Sequence, residues 1–458
     1  MASKTEDRSA ERPGGGWSTE GLGYLQDQEA KQRVYVVHPF VRDRADTSHL
    51  KRSPEARLEE AKGLALAIDI ELVGGEIVPL RERRPATLIG TGKIDELKEF
   101  VAEHEIDLLI FDCELSPGQQ RNLERETKTK VIDRTALILE IFGARASTKE
   151  GELQVELAHL EYQKSRLVRS WTHLERQRGG SGFMGGPGET QIEADRRIIA
   201  DRITRIKRQL EQVTRTRTLH RAQRQKAPYP IVALVGYTNS GKSTLFNRLT
   251  KAEVLAEDML FATLDPTMRA VEFDGGRRII MSDTVGFISE LPTTLVAAFR
   301  ATLEEVCEAD LIVHVRDASH PDSNIQKRDV EAVLKELGVE LTEEGEGTPF
   351  IEALNKIDLM SKEERDALVT LDGRQERVVA ISGLTGDGCD RLLEAIDLML
   401  SRADMLLKVD VPYSEGATQA WLHANSRIVV EKHGDSAIHY EVYVDPVAWA
   451  KYKSRQRG

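Results

Sequence analysis

Five apolar residues, Ile231-Val232-Ala233-Leu234-Val235, run directly into Gly236-Tyr237-Thr238-Asn239-Ser240-Gly241-Lys242-Ser243, and a helical stretch follows from Thr244. No other part of the chain restricts its folding as much. An apolar run of this length reads as a buried strand, and strand, glycine-bounded loop, Lys-Ser and helix in that order make the phosphate-binding loop pattern. The glycines let successive backbone N–H groups curl around an anion, and the helix N-terminus adds a favourable dipole. Lys242 is placed to contact β- and γ-phosphates, and the Ser243 hydroxyl to ligate Mg²⁺. The strands and helices that alternate over 229–403 read as a doubly wound α/β domain.

Two more apolar strands in this region end in chemistry. Arg278-Ile279-Ile280-Met281-Ser282 leads to Asp283-Thr284-Val285-Gly286. Asp283 is expected to hold Mg²⁺ through water, and the Gly286 N–H to sense a γ-phosphate. Phe350 to Leu354 leads to Asn355-Lys356-Ile357-Asp358. A carboxylate at 358 accepts two hydrogen bonds from guanine N1–H and N2–H₂, a donor pair that adenine lacks, so the site is expected to take GTP or GDP. Asn355 is expected to brace the loop, and the Lys356 stem to cover the base. The last base-contacting loop is placed at Ser382-Gly383-Leu384, after the strand Val378 to Ile381. Between the first two motifs lies Phe261-Ala262-Thr263-Leu264-Asp265-Pro266-Thr267, where Thr263 and Thr267 both qualify by type as the switch threonine.

The remaining chain is bounded more loosely. Its 458 residues, 40% hydrophobic and 31% charged, suit several soluble domains. No apolar run approaches the roughly 20 residues that span a bilayer, and the N-terminus lacks the apolar core of a secretory signal. Cys113, Cys307 and Cys389 stand singly, which fits a reducing cytosol and offers no metal pair. Residues 1–30 read as a disordered tail. Residues 31–148 alternate strand and helix patterns, with Arg33 to His38 and Asp107 to Phe111 as strands and Glu55 to Asp69 and Ile94 to His104 as helices. Over 149–228, Leu153, Leu157, Leu160, Leu167, Trp171 and Leu174, then Ile192, Ile199, Ile203, Ile206, Leu210 and Val213, form two heptad seams. Six glycines in the ten residues Gly179 to Gly188 separate them, which predicts an antiparallel helical hairpin with a flexible tip presenting Phe183 and Met184. Residues 404–458 read as a small α+β or β unit.

Net charge is −12, yet Lys164 to Lys226 holds sixteen Lys and Arg against six Asp and Glu. A local polyanion contact and a solvated coiled-coil face both account for that segment. Gly90-Thr91-Gly92-Lys93 resembles half of a second phosphate loop, but Thr87 stands where Gly is needed and Ile94 where Ser or Thr is needed.

Several stretches together resemble the HflX family of translation-associated GTPases over nearly the whole chain. They are Ile89 to Lys93 with Glu96-Leu97, Asp107 to Leu123 (DLLIFDCELSPGQQRNL), Val131 to Thr135 (VIDRT), and Gly179 to Glu193 (GGSGFMGGPGETQIE) followed by Asp195-Arg196-Arg197. The resemblance implies a cytoplasmic GTPase, expected to be monomeric, that binds the large (50S) ribosomal subunit and splits stalled or stressed ribosomes; contact with a membrane would be peripheral. It carries the family's nucleotide contacts onto Gly236 to Ser243, Phe261 to Asp265, Asp283 to Gly286, Asn355 to Asp358 and Ser382 to Leu384. It places the Mg²⁺ ligands at Ser243 and Thr263, which selects Thr263 over Thr267. One departure is Gly383, where related GTPases usually carry Ala; its backbone N–H is expected to stay available.

The residues expected to act on phosphoryl transfer are Lys242, Thr263, Gly286 and Asn239. Phe287 follows Gly286 where Ras-like enzymes place a water-orienting Gln. Slow intrinsic turnover, completed by a partner, is the expectation. Asn239 occupies a loop position that holds K⁺ in several GTPases lacking that Gln, and K⁺ there would act as fixed positive charge. Two other functions fit less of the sequence. One is a signalling GTPase acting on a protein effector, and the other an ATP-driven RNA-remodelling activity in the N-terminal domain.

Overall fold

The computed structural model describes residues 31–41, 52–177, 187–224, 229–252, 260–264, 266–273, 277–289, 303–342, 347–372, 377–401, 404–444, 449–450 and 452–454. The amino-terminal tail, the glycine-rich stretch 179–186 and Asp265 lie outside them. The chain forms two compact units, one from residues 1–42 and 57–137, the other from 43–56 and 138–458. Among the described residues no helix is long and apolar enough to cross a membrane.

The first unit is a parallel sheet in the order β2-β1-β3-β4, from β1 (Arg33–Val41), β2 (Glu71–Leu80), β3 (Leu108–Phe111) and β4 (Lys130–Asp133). Parallel strands need crossovers, which α1 (Pro54–Ala65), α2 (Thr91–Glu103) and α3 (Pro117–Thr127) supply. All four residues of β3 are buried, as its continuous apolar run requires. Helix α3 starts at a capping box between Ser116 and Gln119, with Pro117 in the first turn. The Gly90-Thr91-Gly92-Lys93 segment opens α2. Lys93 pairs with Glu76 at 2.6 Å and Glu96 at 2.8 Å, and Ile94 is buried in the core.

Charge is buried at the carboxyl ends of these strands. Arg134 pairs with Asp112, and with Glu60 at 2.6 Å, while His38 Nδ1 lies 2.8 Å from the other Asp112 oxygen. Burial pushes the Asp112 carboxyl up, but Arg134 and His38 outweigh it and hold the group at about 2.

The second unit holds α4 (Arg134–Arg145) from Ile138 onward, then α5 (Lys149–Gln177) and α6 (Pro187–Arg224). Leu153 and Leu160 near the start of α5 pack on Ile203 and Ile206 well along α6, so the two helices run antiparallel. Glu156 and Glu161 bridge to Arg202 and Lys207 across the seam, at 2.6 and 2.9 Å. Helix α6 begins at Pro187, which puts Gly188 inside a helix where a non-helical tip was expected. Proline at a first helical position loses no hydrogen bond and presets φ, which offsets the glycine.

A larger sheet follows in the order β11-β10-β8-β5-β7-β6, with the two-residue β9 (Leu341–Thr342) on β10. Its strands are β5 (Ile231–Val235), β6 (Thr267–Glu272), β7 (Arg278–Asp283), β8 (Leu311–Asp317), β10 (Thr348–Asn355) and β11 (Val378–Ala380). Every pairing is parallel except β6 on β7. The chain leaves β5 toward β7 on one side and β8 on the other, a topological switch point, and ligands bind beyond the carboxyl ends of strands at such points. The last sheet is antiparallel, β12 (Met405–Pro412), β14 (Ala437–Val444) and β13 (Ser426–His433), with the helix Gly416–Asn425 and Trp449 on its buried face.

Replacing Arg134 by Met leaves Asp112 and Glu60 buried without their cation. The expected loss is about 3–5 kcal/mol of stability, measured as a lowered urea midpoint; an unchanged midpoint would show that the network is stabilised by other means.

Candidate nucleotide-binding site

The loop after β5 enters α7 (Lys242–Thr250) and forms one wall of a cleft. Thr238, Asn239, Gly241, Lys242, Ser243, Phe261, Ala262, Thr263, Thr284 and Gly286 all line it. Gly241 sits at φ 89°, and a Cβ there would lie 2.3 Å from Asn355 Nδ2, so the turn into α7 admits no side chain. Lys242 is 6% exposed and folds back on the loop, donating to the carbonyls of Tyr237 at 3.0 Å and Gly236 at 3.2 Å. Burial pushes its amine down to about 8, with Asp283 pulling the other way.

Asp283 ends β7 fully buried. Ser243 Oγ donates to its Oδ2 at 2.7 Å and lies 2.8 Å from Thr263 Oγ1, which itself lies 3.3 Å from the same Oδ2. Asp283 Oδ1 is buried with no hydrogen-bond partner. Burial raises this carboxyl despite Lys242, Ser243 and Thr263. Two hydroxyls and a carboxylate with a spare oxygen fit a hard, oxygen-preferring cation such as Mg²⁺. Thr263, rather than Thr267 at the start of β6, is the threonine beside Ser243.

The segment 284–287 is tied to the phosphate loop. Thr284 Oγ1 donates to Leu234 O at 2.6 Å, Thr238 N to Phe287 O at 2.7 Å, and Phe287 N to Gly236 O at 3.1 Å. A Cβ on Gly286 would stand 2.8 Å from Thr238 Cγ2 and 3.1 Å from Lys242 Nζ. Val285 and the Phe287 side chain are buried, so the ring is not presented to the cleft as a hydrogen-bonding group could be. Phe261 takes φ 58° and packs edge-on against Phe142 of α4, with centroids 4.7 Å apart. Leu264 is buried away from the cleft lining. Asn239, at φ 58°, forms the loop's outer tip with Ser240 buried behind it.

The base end is stitched by Asn355. Its Nδ2 donates to Ser240 O and its Oδ1 accepts from Gly383 N, both at 2.8 Å. The Gly383 N–H is thus engaged inside the protein, contrary to the expectation that it stays available. A Cβ at 383 would come within 3.3 Å of Leu245 N, a tight contact. Ser382 Oγ donates to Asp358 Oδ1 at 2.6 Å, Lys356 pairs with Asp317 at 2.9 Å, Ile357 is buried, and Leu384 is exposed. Arg248, not singled out from sequence, locks this loop to α7: it donates to Gly383 O at 2.7 Å and also to Leu384 O. No sequence signal marks it, because the contact joins residues 135 positions apart.

Three family models match the chain: "GTP-binding GTPase N-terminal" over 55–143, "GTP-binding GTPase Middle Region" over 145–224, and "50S ribosome-binding GTPase" over 231–356. A GTPase HflX of Magnetococcus marinus is 50% identical over 378 residues, 82% of this chain and 85% of that protein. A GTPase HflX of Lacrimispora saccharolytica is 41% identical over 422 residues, 92% of this chain and 95% of that protein. A GTPase HflX of Escherichia coli is 40% identical over 426 residues, covering 92% and 96%.

With its folded-state pKa depressed to about 8, free Lys242 loses its proton as pH rises through that value, whereas a bound phosphate would hold the proton on. Guanine-nucleotide affinity is therefore expected to be flat at neutral pH and to fall above pH 8, by up to about tenfold per unit. Calorimetry between pH 7 and 9 reads this directly, and rising affinity would contradict it.

Proposed function

The chain belongs to the HflX family of GTPases, and from that premise we propose that its GTP-bound form grips the large ribosomal subunit and separates stalled ribosomes into subunits. It binds and hydrolyses GTP, as its family and GTPase domain imply. One observation supports an RNA partner above others. Helix α6 turns Ile203 and Ile206 into the seam and leaves Arg196, Arg197, Arg205, Lys207 and Arg208 exposed. Exposed cations along one helix suit the phosphate backbone of RNA. We also propose the finer organisation of 31–148, 149–228, 229–403 and 404–458 as working parts, acting in the cytoplasm as a monomer.

In this reading Lys242 neutralises the β- and γ-phosphates and Asp358 selects guanine, with Asn355 and Ser382 holding that carboxylate's loop. Lys356 extends its stem beside the base. Ser243, Thr263 and the Asp283 carboxylate would hold Mg²⁺, which supplies positive charge to the phosphoryl oxygens when bound. GTP orders the segments around Thr263 and Gly286, and hydrolysis releases them. Phe287 offers no group to orient water, so turnover awaits a partner.

The decisive test is sedimentation of intact ribosomes with the protein and a non-hydrolysable GTP analogue. Free subunits are expected to accumulate with the protein on the large one. Replacing Arg196, Arg197, Arg205 and Arg208 by Glu is expected to abolish co-sedimentation. Protein that stays at the top of the gradient at low salt would sink the ribosomal reading.

Asn239 at the loop tip is the residue for a K⁺ contribution. Hydrolysis is expected to run several-fold faster in K⁺ than in Na⁺ buffer, and Asn239→Ala to remove the difference; equal rates in the two salts would exclude the cation.

A further inference from the structure

Arg52 lies 185 positions before Tyr237, in the segment 43–56 that belongs to the second unit. Its side chain is only 6% exposed. Nη1 donates to the Tyr237 hydroxyl at 3.0 Å, Nε donates to Asp322 Oδ2 at 3.1 Å, and the guanidinium carbon stands 5.7 Å from the Tyr237 ring centroid. The Tyr237 hydroxyl in turn accepts the backbone N–H of Ser289 at 2.8 Å. Tyr237 is the second residue of the phosphate loop, and Ser289 lies three residues past Gly286. One phenol oxygen thus joins loop and switch, in addition to the two backbone bonds between Gly236, Thr238 and Phe287.

Asp322 fits the same picture. It is the residue before helix α8 (Ser323–Glu336), where an Asp side chain ordinarily caps the first turn, yet it makes no capping hydrogen bond. The carboxylate is turned to Arg52 instead. A buried guanidinium at a helix N-terminus is opposed by the helix dipole, and Asp322 offsets that cost. Such an arrangement fixes the fork of Arg52, and the fork fixes the phenol.

We propose that Arg52 is a positioning residue for GTP hydrolysis. It sets the Tyr237 hydroxyl, and through the Ser289 N–H it sets the backbone around Gly286 and Phe287. This chain has no glutamine after Gly286 to align water, so the pose of that backbone against Lys242 and the γ-phosphate carries more of the rate. Nucleotide contacts made by Gly241, Lys242 and Asp358 do not pass through Arg52. Its loss therefore acts on turnover and not on binding. The inference rests on the nucleotide occupying the cleft described above.

The test compares the full chain with Arg52→Ala, Tyr237→Phe and the double variant. Fluorescent GDP binding, KM and kcat for GTP, and the melting temperature are measured for each. Each single variant is expected to lower kcat by about tenfold or more, the worth of one charge-assisted hydrogen bond. GDP affinity and KM are expected to stay within about threefold of the parent. The double variant is expected to lose no more than the worse single variant, because both substitutions cut one chain of contacts. Unchanged kcat in Arg52→Ala, multiplied losses in the double variant, or kcat and GDP affinity falling together would each overturn the proposal. Tyr237→Phe removes a single oxygen, so the comparison holds even if Arg52→Ala fails to fold. Failure of the unsubstituted chain to bind GDP would instead remove the nucleotide site itself.

Discussion

The second unit is organised around an unfavourable pair, a lysine and an aspartate buried together where β5 and β7 end. Burial disfavours the charge on each: the Lys242 amine is pushed down to about 8, and the Asp283 carboxyl is raised. Their mutual attraction opposes both shifts and overcomes neither. A pocket that leaves a cation short of negative charge and an anion short of positive charge is matched by a ligand that brings both. A triphosphate with a divalent cation is such a ligand, and an uncharged one would leave both desolvation costs standing. The orphaned Oδ1 of Asp283 points to the same deficit.

Keeping that pair in place depends on long-range stitching more than on the loop itself. Asn355, from β10, closes hydrogen bonds to Ser240 and Gly383, so one side chain spans the phosphate loop and the last base loop. Arg248 repeats the tie from α7. Both connect segments that the sheet order has already brought together at the carboxyl edge, since β5, β8 and β10 are successive neighbours. The sheet supplies coarse placement, and these polar ties supply the last ångström that recognition needs.

The part of this site that could be read in the chain is the part written locally. Apolar runs ending in Gly236 to Ser243, Asp283 to Gly286 and Asn355 to Asp358 are self-contained patterns, and each stands at the end of an observed strand. The seam of α5 and α6 was legible for the same reason, being a period along one helix. Strand β2 was not singled out, because Gly74-Gly75 interrupts its apolar pattern, and glycine is a poor strand signal. The start of α6 at Pro187 was obscured by the adjacent glycines. Arg52, Phe142 and Arg248 gave no sign, because what defines them is a partner more than a hundred residues away. The engaged Gly383 N–H belongs to the same class, visible only once Asn355 is seen beside it.

Those distant partners bear on how a switch in this chain could work. Moving a two-state equilibrium from one part in a hundred to ninety-nine requires about 5.5 kcal/mol of differential interaction. An edge-on aromatic pair such as Phe142 with Phe261 contributes about 0.5–1.5 kcal/mol beyond burial. A charge-assisted hydrogen bond such as Arg52 with Tyr237 contributes about 1.5–3 kcal/mol. Even fully made in one state and fully lost in the other, the two contacts together fall short of a complete switch. In the proposed reading the remainder comes from Thr263 and the backbone of Gly286, the groups proposed to meet the γ-phosphate and its cation. Contacts outside the GTPase sheet can then bias the switch, while the nucleotide decides it. That division lets a partner pulling on either contact tune the equilibrium without being able to throw it alone.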